Sequence, residues 1–406
     1  MNAIENKNDA AGTGNRSVLI FLAILVSLGP LSIDMYVPAM PSLQVAMQTG
    51  VYQVHLTMSA YLTGFAVFHL FCGPLADRFG RIPILSTGTI LFVGASLACA
   101  FSPTIEALMA SRFVQGIGAC VGPTLARAMA RDIYGPKDSA RALSLIAMIM
   151  ALAPAIAPGL GAAMLKYVAW PGIFAFLAIY GLLALWLVRT KLTETLPAKQ
   201  SLHFSSIISN YRSLISYRTY LCVALASALA YSGMMAFITS SGFIFISFMG
   251  VPVEYFGLIF LVIVLGYMAG SALSARLSHS MESGSVLTLG VGLAVGATAI
   301  MACLQFAFPQ SLWALVAPVP IFSCAMGLTL PNATAIALEP FPLIAATASS
   351  LFGFLQMGSC ALVIGLAGQL VTQSPAPLLW ALIVVNLFAL ILVYLGLAAR
   401  KRTAIS

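Results

Sequence analysis

Asp34 is the residue whose position most clearly indicates chemistry. It lies in the stretch SLGPLSIDMYVPAMPSL, near the end of an apolar run from about 17 to 37, among Pro30, Pro38 and Pro41. An ionised carboxylate at membrane depth costs about 2.5–3.5 kcal/mol on insertion scales, so an acidic residue there indicates a function. The other ten acidic residues lie in tails, loops or the ends of apolar runs. We expect Asp34 to take up and release a proton; the alternative is a wetted carboxylate that caps an irregular helix end beside Pro38.

Arg112 is the expected partner of Asp34, because it is the only basic residue well inside an apolar run. That run enters the membrane from the outer face near residue 104, which places Arg112 about 12 Å below the surface at 1.5 Å per residue. Asp34 lies in the outer third of its own run, so the two are expected at similar depth. A guanidinium favours the charged carboxylate and burial favours the neutral one. This opposition suits proton exchange; a static ion pair between the two helices is the alternative.

Polarisable and amphipathic side chains indicate a pocket for small amphipathic molecules. Gln115 shares a helix face with Arg112, and Gly116 and Gly118 beside it permit close helix contact. Taken singly, each such side chain is more often ordinary packing. His55 and His69 suggest a proton relay, although hydrogen-bonded structural histidines are the more common case. The predicted binding residues are Asp34, Tyr61, Arg112, Gln115, Tyr231, Met235 and Gln356.

The stretch ALAPAIAPGLGAAM predicts a bent helix that packs closely against another. Pro154 and Pro158 lie one turn apart on one face, and Gly159 and Gly161 follow them. Proline inside a helix removes a hydrogen bond and kinks it. We expect a bend at the interface between two halves of the protein, with a generic kink as the alternative.

The stretch GPLADRFGRIP, residues 73–83, predicts a short charged turn after the second apolar run. Gly73 and Gly80 flank Asp77 and Arg78, and Arg81 follows. Glycine permits the chain to reverse, and Asp77 is placed to bond with helix ends or with arginines nearby.

The elements that position these residues follow from composition. Hydrophobic residues make up 61% of the 406 residues and charged residues only 7%, whereas soluble domains carry about 25% charged residues. The chain is therefore an all-helical, multi-pass membrane protein, because backbone in lipid must satisfy its own hydrogen bonds. Neither a phosphate-binding GxxxxGK[ST] loop nor an HExxH motif occurs, and the seven cysteines form no CxxC pair. We expect no enzyme activity, cofactor, metal site or disulfide framework.

Twelve apolar windows of about 20 residues predict twelve transmembrane helices in two six-helix halves. The predicted domains are 1–189, a linker 190–218 and 219–406. HFSSIISNYRSLISY in the linker suggests a short amphipathic helix at the membrane surface, although a linker that simply lies on the cytoplasmic face is the more common case. The windows are 17–37, 53–76, 82–101, 104–126, 141–165, 170–189, 219–247, 254–276, 285–306, 311–330, 342–368 and 376–399.

Basic residues predict the orientation. Seventeen of the 19 Lys and Arg residues fall on one side of this arrangement; the exceptions are Lys166 and the buried Arg112. Lys and Arg are enriched in cytoplasmic loops, so both termini are expected in the cytoplasm. The first apolar run is too long for a signal-peptide core and is expected to remain. The net charge of +8 reflects this asymmetry and indicates no nucleic-acid partner.

A weak internal repeat supports two parallel halves. An offset of 198 aligns GPLADRFGR (73–81) with SALSARLSH (271–279), matching Leu75 with Leu273 and Arg78 with Arg276. Transporters built from such repeats hold their substrate between the halves near mid-membrane.

At these motifs the chain resembles the major facilitator superfamily, specifically the Bcr/CflA (bicyclomycin and chloramphenicol resistance) family of twelve-span drug:H⁺ antiporters. PLSIDMYVPAMP, GPLADRFGRIP, RFVQGIGA, APAIAPGLGAAM and EPFPLIAATASSL carry the resemblance. It implies that Asp34 couples protons, that Arg112 is its partner, and that the loop 73–81 is a conformational latch. Ile82 replaces a usual basic residue, and the copy at Arg276 lacks the Asp and Gly, so the first half would carry the latch.

The expected function is proton-coupled export of small amphipathic antibiotics, such as phenicols or bicyclomycin, across a bacterial inner membrane. The alternative in the same fold is a proton-linked carrier of a metabolite such as a purine or an amino acid. An integral-membrane enzyme or a passive channel fits less well, because few polar groups are buried together and the Pro-Gly helix suggests moving halves. The expected partners are a small-molecule drug, protons and the lipid bilayer, and a monomer is expected by analogy.

Overall fold

A computed structural model describes residues 2–196, 204–371 and 374–405 of the chain, without the side chains of 2–17, 135–145, 147, 149–151, 204–206, 343 and 403–405. Every regular element in the described residues is a helix. The α-helices are α1 (Asn2–Asp34), α2 (Met40–Ala46), α3 (Val51–Phe79), α4 (Arg81–Ala100), α5 (Ile105–Leu165), α6 (Pro171–Lys191), α7 (Phe204–Ser216), α8 (Arg218–Ser241), α9 (Phe256–Leu277), α10 (Ser283–Ala307), α11 (Leu312–Val316), α12 (Val319–Leu338), α13 (Ala345–Leu370) and α14 (Ala376–Ile405).

Short irregular helices interrupt the long ones. Val37–Ala39, Val253–Tyr255 and Pro342–Ile344 are 3-10 helices, and Gly242–Phe248 is a π-helix that continues α8. The first of these lies beside Asp34, where the three prolines predicted an irregular helix end. Each interruption lies at an end of a membrane-length helix, and helix ends are where such short, tighter or wider turns are commonly found.

Ten helical segments among the described residues are long and apolar enough to cross a membrane, and each overlaps one of ten predicted windows. They are Val18–Ala46, Val51–Phe79, Arg81–Ala100, Pro171–Lys191, Arg218–Phe248, Val253–Leu277, Ser283–Ala307, Leu312–Leu338, Ala345–Leu370 and Ala376–Arg402.

The two remaining windows, 104–126 and 141–165, both fall in the single helix α5. The two windows predict a loop between them, and this prediction is wrong because the chain stays helical there. The stretch between them, 127–140, has three Ala and two Arg, which are strong helix formers, and it stays helical although it also contains Gly135 and Pro136. Arg112 donates to the Ser32 carbonyl of α1, and Gly161 packs against the Met35 carbonyl three residues on. A straight helix between residues 112 and 161 would extend about 74 Å. The course of α5 therefore reverses between its two ends.

Small residues bring the helices of the first part together. The faces of α3 and α5 meet where Gly64 lies on the Phe113 carbonyl and Gly116 on the Tyr61 carbonyl, and Gly118 lies on the backbone of Phe92 in α4. An added methyl group at any of these positions would collide with backbone. Such small-residue contacts are how helices associate in lipid, where apolar surfaces gain little from meeting each other.

The linker contains the amphipathic helix that its sequence suggested. This helix, α7, buries Leu214 and exposes Ile208 and Ile215. Tyr211 donates its hydroxyl to the Leu70 carbonyl of α3 at 3.0 Å, and burial raises the pKa of Tyr211 to about 12. The linker helix is thereby tied to the end of α3.

Two ends of the bundle serve as references below. The basic end holds the turns that carry Arg81, Arg189, Arg276 and Arg400, and the opposite end holds the turns around residues 47–50, 166–170 and 249–252.

Candidate functional site

A cavity of about 510 Å³ lies among seven helices. It is lined mainly by apolar and aromatic side chains with a few polar groups, which is typical of sites for small organic molecules. Its walls come from α1, α3, α5, α8, α9, α12 and α13. The lining residues are Gly29, Pro30, Ile33, Asp34, Leu62, Phe65, His69, Pro123, Arg127, Pro154, Tyr231, Met234, Met235, Ile238, Phe260, Ile263, Val264, Tyr267, Met326, Leu330, Thr334, Ser349, Phe352, Gly353, Gln356, Met357 and Cys360.

The cavity extends toward the basic end. Arg127, Thr334 and Ser349 in its lining lie near that end of α5, α12 and α13. At the opposite end the helices are in contact: Gly242 packs on the Val37 carbonyl, and Gly257 of α9 packs on Gly159 of α5. No lining residue belongs to these outer turns within the described chain.

Asp34 occupies the wall of this cavity as the last residue of α1. Pro38 has no N–H, so it cannot donate to the Asp34 carbonyl as the next turn of an α-helix would. The chain instead enters a turn and the 3-10 helix at Val37–Ala39. The Asp34 side chain is 6% exposed and forms no hydrogen bond or ion pair with a described residue. Burying a charge without a partner is costly, so a nearly buried carboxylate of this kind is suited to exchange a proton with the cavity.

Arg112 does not form the direct ion pair with Asp34 that the sequence suggested. It is fully buried, and its guanidinium donates to the Ser32 carbonyl at 3.2 Å, the Gln115 Oε1 at 2.7 Å and the Met58 sulfur at 3.4 Å. The rings of Tyr36, Tyr61 and Phe174 surround its central carbon at 4.7, 4.3 and 5.7 Å. Aromatic faces attract cations, most strongly where water is excluded.

Arg112 and Asp34 do not meet because they lie on different sides of α1. Arg112 contacts Ser32 and Tyr36, which are four residues apart and share one face of the helix. Asp34 lies between them, about 200° around the axis from each, and therefore faces the cavity. Arg112 is at the level of Asp34, as the depth estimate required, but on the other side of α1.

The predicted binding residues divide into two groups. Asp34, Tyr231, Met235 and Gln356 line the cavity. Tyr61, Gln115 and Arg112 lie outside its lining and are fully buried. Gln115 donates to the Ser96 hydroxyl at 2.8 Å, and the Tyr61 hydroxyl donates to the Gly29 carbonyl at 3.3 Å. This second group holds Arg112 in place behind the cavity wall.

The predicted latch residues form a charge cluster at the basic end. Arg81 pairs with Asp77 at 2.8 Å and with Asp132 at 3.4 Å. Asp132 also accepts from the Thr195 hydroxyl at 3.0 Å. Arg78 instead lies exposed over the Phe79 ring, and Gly73 faces Ser350 of α13. Asp132 was not singled out from the sequence, although it is the one acidic residue at the basic end of the fourth apolar window.

Glu194 completes this cluster in a way that the sequence did not reveal. Its carboxylate accepts from the backbone N–H groups of Arg81 and Ile82 at the start of α4, at 2.9 and 3.1 Å. Burial raises the pKa of Glu194, but these bonds and those from the N–H groups of Thr195 and Leu196 outweigh it and hold the pKa below its ordinary value. Gly80, at φ +110°, leaves space for the carboxylate, since a methyl group there would lie 2.5 Å from Oε2.

The predicted bend residues lie where α5 meets other helices. Pro154 lines the cavity, Pro158 is buried, Gly159 contacts α9, and Gly161 contacts Met35 just after α1. Near this end the His55 ring is hydrogen-bonded to the Ser240 hydroxyl at 3.0 Å and to the Val51 carbonyl at 2.9 Å. His55 is therefore a hydrogen-bonded histidine outside the cavity, whereas His69 lines the cavity and has no hydrogen-bond partner among the described residues.

No group of three or more His, Cys, Asp or Glu side chains that could hold a metal ion occurs in the described residues. The seven cysteines are all free thiols.

Comparison with known proteins places this architecture in a family. The model of the Major Facilitator Superfamily matches residues 22–364. "Uncharacterized MFS-type transporter YdgK" of Bacillus subtilis is 30% identical over 398 residues, which cover 97% of this chain and 98% of that protein. "Bicyclomycin resistance protein homolog" of Haemophilus influenzae is 28% identical, with 90% and 93% covered. "Multidrug resistance protein MdtL" of Shewanella oneidensis is 30% identical, with 93% and 94% covered.

Solved structures agree with these relatives on the fold. The crystal structure of a D-xylose–proton symporter superposes with a TM-score of 0.77 at 14% identity, covering 93% of this chain and 97% of the symporter. A family match over most of the chain, full-length relatives and a cavity walled by helices from both parts of the sequence lead to one assignment: the chain belongs to the Major Facilitator Superfamily.

Proposed function

We propose that this protein is a multidrug exporter that exchanges small amphipathic drugs for protons. The observation that carries the proposal is the Asp34 carboxylate, which is nearly buried, has no partner among the described residues and faces a largely apolar cavity. The names of the relatives, which refer to multidrug and bicyclomycin resistance, support drugs as the substrates. Family membership argues for transport instead of an enzyme reaction.

The proposed mechanism is alternating access by two six-helix halves, residues 1–189 and 219–406, joined by the linker 190–218. The twelve spans comprise the ten apolar segments and the two arms of α5. Lys and Arg concentrate at the basic end, so that end faces the cytoplasm together with both termini, in the inner membrane of a bacterium. The cavity extends toward the cytoplasm in this conformation, and contacts between Val37 and Gly242 close the outer end.

Proton exchange at Asp34 drives the cycle. In the inward-facing form Asp34 loses its proton toward the cytoplasm, and the ionised carboxylate and the apolar wall bind the drug. When the outer end opens, protonation of Asp34 from the outside weakens the hold on the drug and releases it. The return step carries the proton inward. No cofactor takes part.

The other predicted site residues serve this cycle from outside the reacting group. Arg112, caged by Tyr36, Tyr61 and Phe174, fixes the face of α1 that lies behind Asp34. The cluster of Arg81, Asp77 and Asp132 acts as the latch at the cytoplasmic end. Pro154 and Pro158 give α5 the bend that the moving interface needs. The protein works as a monomer.

The energetics are sufficient for useful export. One proton that crosses a total driving force near 180 mV supplies about 4 kcal/mol. This amount sustains a gradient of roughly a thousandfold for a neutral compound.

The test is drug resistance in cells that express the protein. We expect expression to raise the tolerated concentration of a phenicol or of bicyclomycin, and Asp34→Asn to abolish the gain at equal protein level in the membrane. Full resistance in that variant would remove Asp34 from the mechanism. The second candidate, a proton-linked metabolite carrier, predicts uptake of a labelled purine or amino acid into the cells instead of drug efflux.

A further inference from the structure

Two polar side chains in the cavity have no role in the proton cycle described above. They are His69 of α3 and Arg127 of α5, and both line the cavity toward the basic end, away from Asp34. His69 is 9% exposed, and its Nδ1 is buried without a hydrogen-bond partner among the described residues. Buried polar groups in proteins are almost always hydrogen-bonded, so an orphaned one calls for an explanation.

Arg127 presents unused hydrogen-bond donors to the same space. Its Nε donates to the Pro123 carbonyl one turn back along α5 at 2.8 Å, and the rest of the exposed guanidinium has no hydrogen bond or ion pair with a described residue. An arginine has five N–H donors, so four of them remain unused in a residue that lines the cavity.

Contacts place His69 and Arg127 at one level of the bundle. A methyl group built on Gly29 would lie 3.6 Å from the Phe65 ring and 3.8 Å from the Pro123 ring, so these three residues share a level. His69 and Arg127 each lie four residues further toward the basic end, about 6 Å along their helices.

The His69 imidazole is held by the neighbouring helix. It rests against Gly353 of α13, where an added methyl group would come within 2.6 Å of the ring. The ring is therefore held at the wall of the cavity that Arg127 also lines.

Asp34 lies on the other side of the Gly29 level. It is five residues further along α1 in the opposite direction, about 7.5 Å. The two opposite charges are therefore on the order of 10 Å apart along the cavity, and the lining of that cavity is largely apolar.

We propose that His69 and Arg127 form a subsite for an acidic group, so that the cavity also accepts amphipathic zwitterions with a basic amine near Asp34 and a carboxylate or similar oxyanion near Arg127. This inference rests on the proposed function and adds a substrate class to it. The planar guanidinium fork matches the two oxygens of a carboxylate. His69 lines the same part of the cavity, and its imidazole can supply one further donor.

Binding of matched compounds to the full-length protein tests the subsite. The probes are ciprofloxacin, which carries an amine and a carboxylate at opposite ends of an aromatic body, its methyl ester, which lacks the acid, and its N-acetyl derivative, which lacks the basic amine. Binding is measured by equilibrium dialysis at pH 7 in phosphatidylcholine nanodiscs, so that no anionic lipid competes. No proton gradient is present, and the result therefore does not depend on transport.

We expect the wild-type protein to bind ciprofloxacin about tenfold more tightly than the methyl ester. Arg127→Ala should remove this preference by weakening only the two compounds with a carboxylate, and His69→Leu should reduce it in the same direction. Arg127→Lys should retain part of it because the charge remains. Arg131→Ala, which removes a charge one turn further along the same helix but outside the cavity lining, should match the wild type.

Equal binding of acid and ester to the wild type, including no detectable binding of either, would contradict the subsite. So would an equal loss of both compounds in Arg127→Ala. Drug export can fail in cells while the acid preference persists in nanodiscs, and the reverse can also occur, so failure of the subsite and failure of the proposed function are separable.

Discussion

At the scale of single residues, the protein separates two charges that the sequence suggested were paired. Asp34 faces the cavity, and Arg112 is enclosed behind it by Tyr36 and Tyr61. A direct ion pair would hold the carboxylate in its charged form. Without that pair, the protonation of Asp34 depends on the water and the substrate in the cavity, which is what coupled transport requires.

Arg112→Lys tests the cage, by which we mean the rings of Tyr36, Tyr61 and Phe174 around the Arg112 guanidinium. The ammonium group of lysine is compact and strongly hydrated, and it cannot reproduce the planar donor fork that reaches Ser32, Gln115 and Met58. We expect a melting temperature several degrees lower than that of the wild type and transport reduced at least tenfold. Thermal unfolding in detergent and resistance assays measure both. Arg189→Lys, at an exposed position, is the control. An Arg112→Lys protein as stable and active as the wild type would show that the cage has no such role.

Sequence reasoning reached the correct residues here but not their arrangement. A rise of 1.5 Å per residue fixes depth along a helix, so the common level of Asp34 and Arg112 was predictable. Rotation about the helix axis depends on which neighbours pack against it, and one sequence does not contain that information. For the same reason, Tyr61 and Gln115 were expected in the cavity and lie behind its wall.

At the scale of secondary-structure elements, glycines decide how closely α3 and α5 approach. Gly116→Ala would place a methyl group on the Tyr61 carbonyl and 3.0 Å from the Phe65 nitrogen. Because backbone cannot move aside easily, overpacking of this kind costs typically about 1–3 kcal/mol. We expect a melting temperature clearly below that of the wild type.

Gly94→Ala is the matched control for this prediction. Gly94 lies in α4 with nothing within 4 Å of the added methyl group, and alanine has the higher helix propensity. This variant should be as stable as the wild type or slightly more stable. If both alanine variants have the same melting temperature, close packing at Gly116 is not what limits the distance between α3 and α5.

The capping of α4 by Glu194 predicts a pH dependence. Backbone N–H groups of Arg81 and Ile82 hold the folded-state pKa of Glu194 below its ordinary value. A carboxylate of this kind stabilises the fold fully above its unfolded pKa, about 4.3, and that contribution disappears as the pH falls through the folded value. The wild type should therefore have a higher melting temperature than Glu194→Gln at pH 7. The gap between the two melting temperatures should narrow below about pH 4.3.

Melting curves of the two proteins in detergent between pH 7.5 and pH 3.5 measure this gap. A gap that stays constant over the whole range would show that the shape of the side chain matters and its charge does not. Sequence reasoning missed Glu194 because the bond joins residues 113 positions apart in the chain, and only the fold brings them together. The helices themselves were predictable, since apolar windows of membrane length have few alternatives.

At the scale of the whole molecule, the proposed export cycle requires α3 and α13 to separate near the outer end. Ser59 of α3 lies there with its Cβ 3.9 Å from a Cβ built on Gly365 of α13, which is within the range of about 3.5–4.5 Å for a disulfide. In a protein without its seven native cysteines, oxidised Ser59→Cys/Gly365→Cys should lose transport, and a reducing agent should restore it.

The single-cysteine variants Ser59→Cys and Gly365→Cys are the controls and should transport under both conditions. Transport by the fully oxidised double variant would mean that the outer end does not open between these helices. The two halves would then move in some other way than the proposed rocking.

The central claim, that drug and proton exchange through Asp34, is tested most directly in proteoliposomes with an imposed pH gradient. Lumenal pH is followed while phenicols, bicyclomycin, sulfonamides, purines and amino acids are added in turn, with wild-type protein and with Asp34→Asn. We predict proton flux opposite to the flux of a drug, and no such flux in the variant. Proton flux in the same direction as a metabolite, or drug-linked flux that persists in Asp34→Asn, would contradict proton-coupled export through this carboxylate.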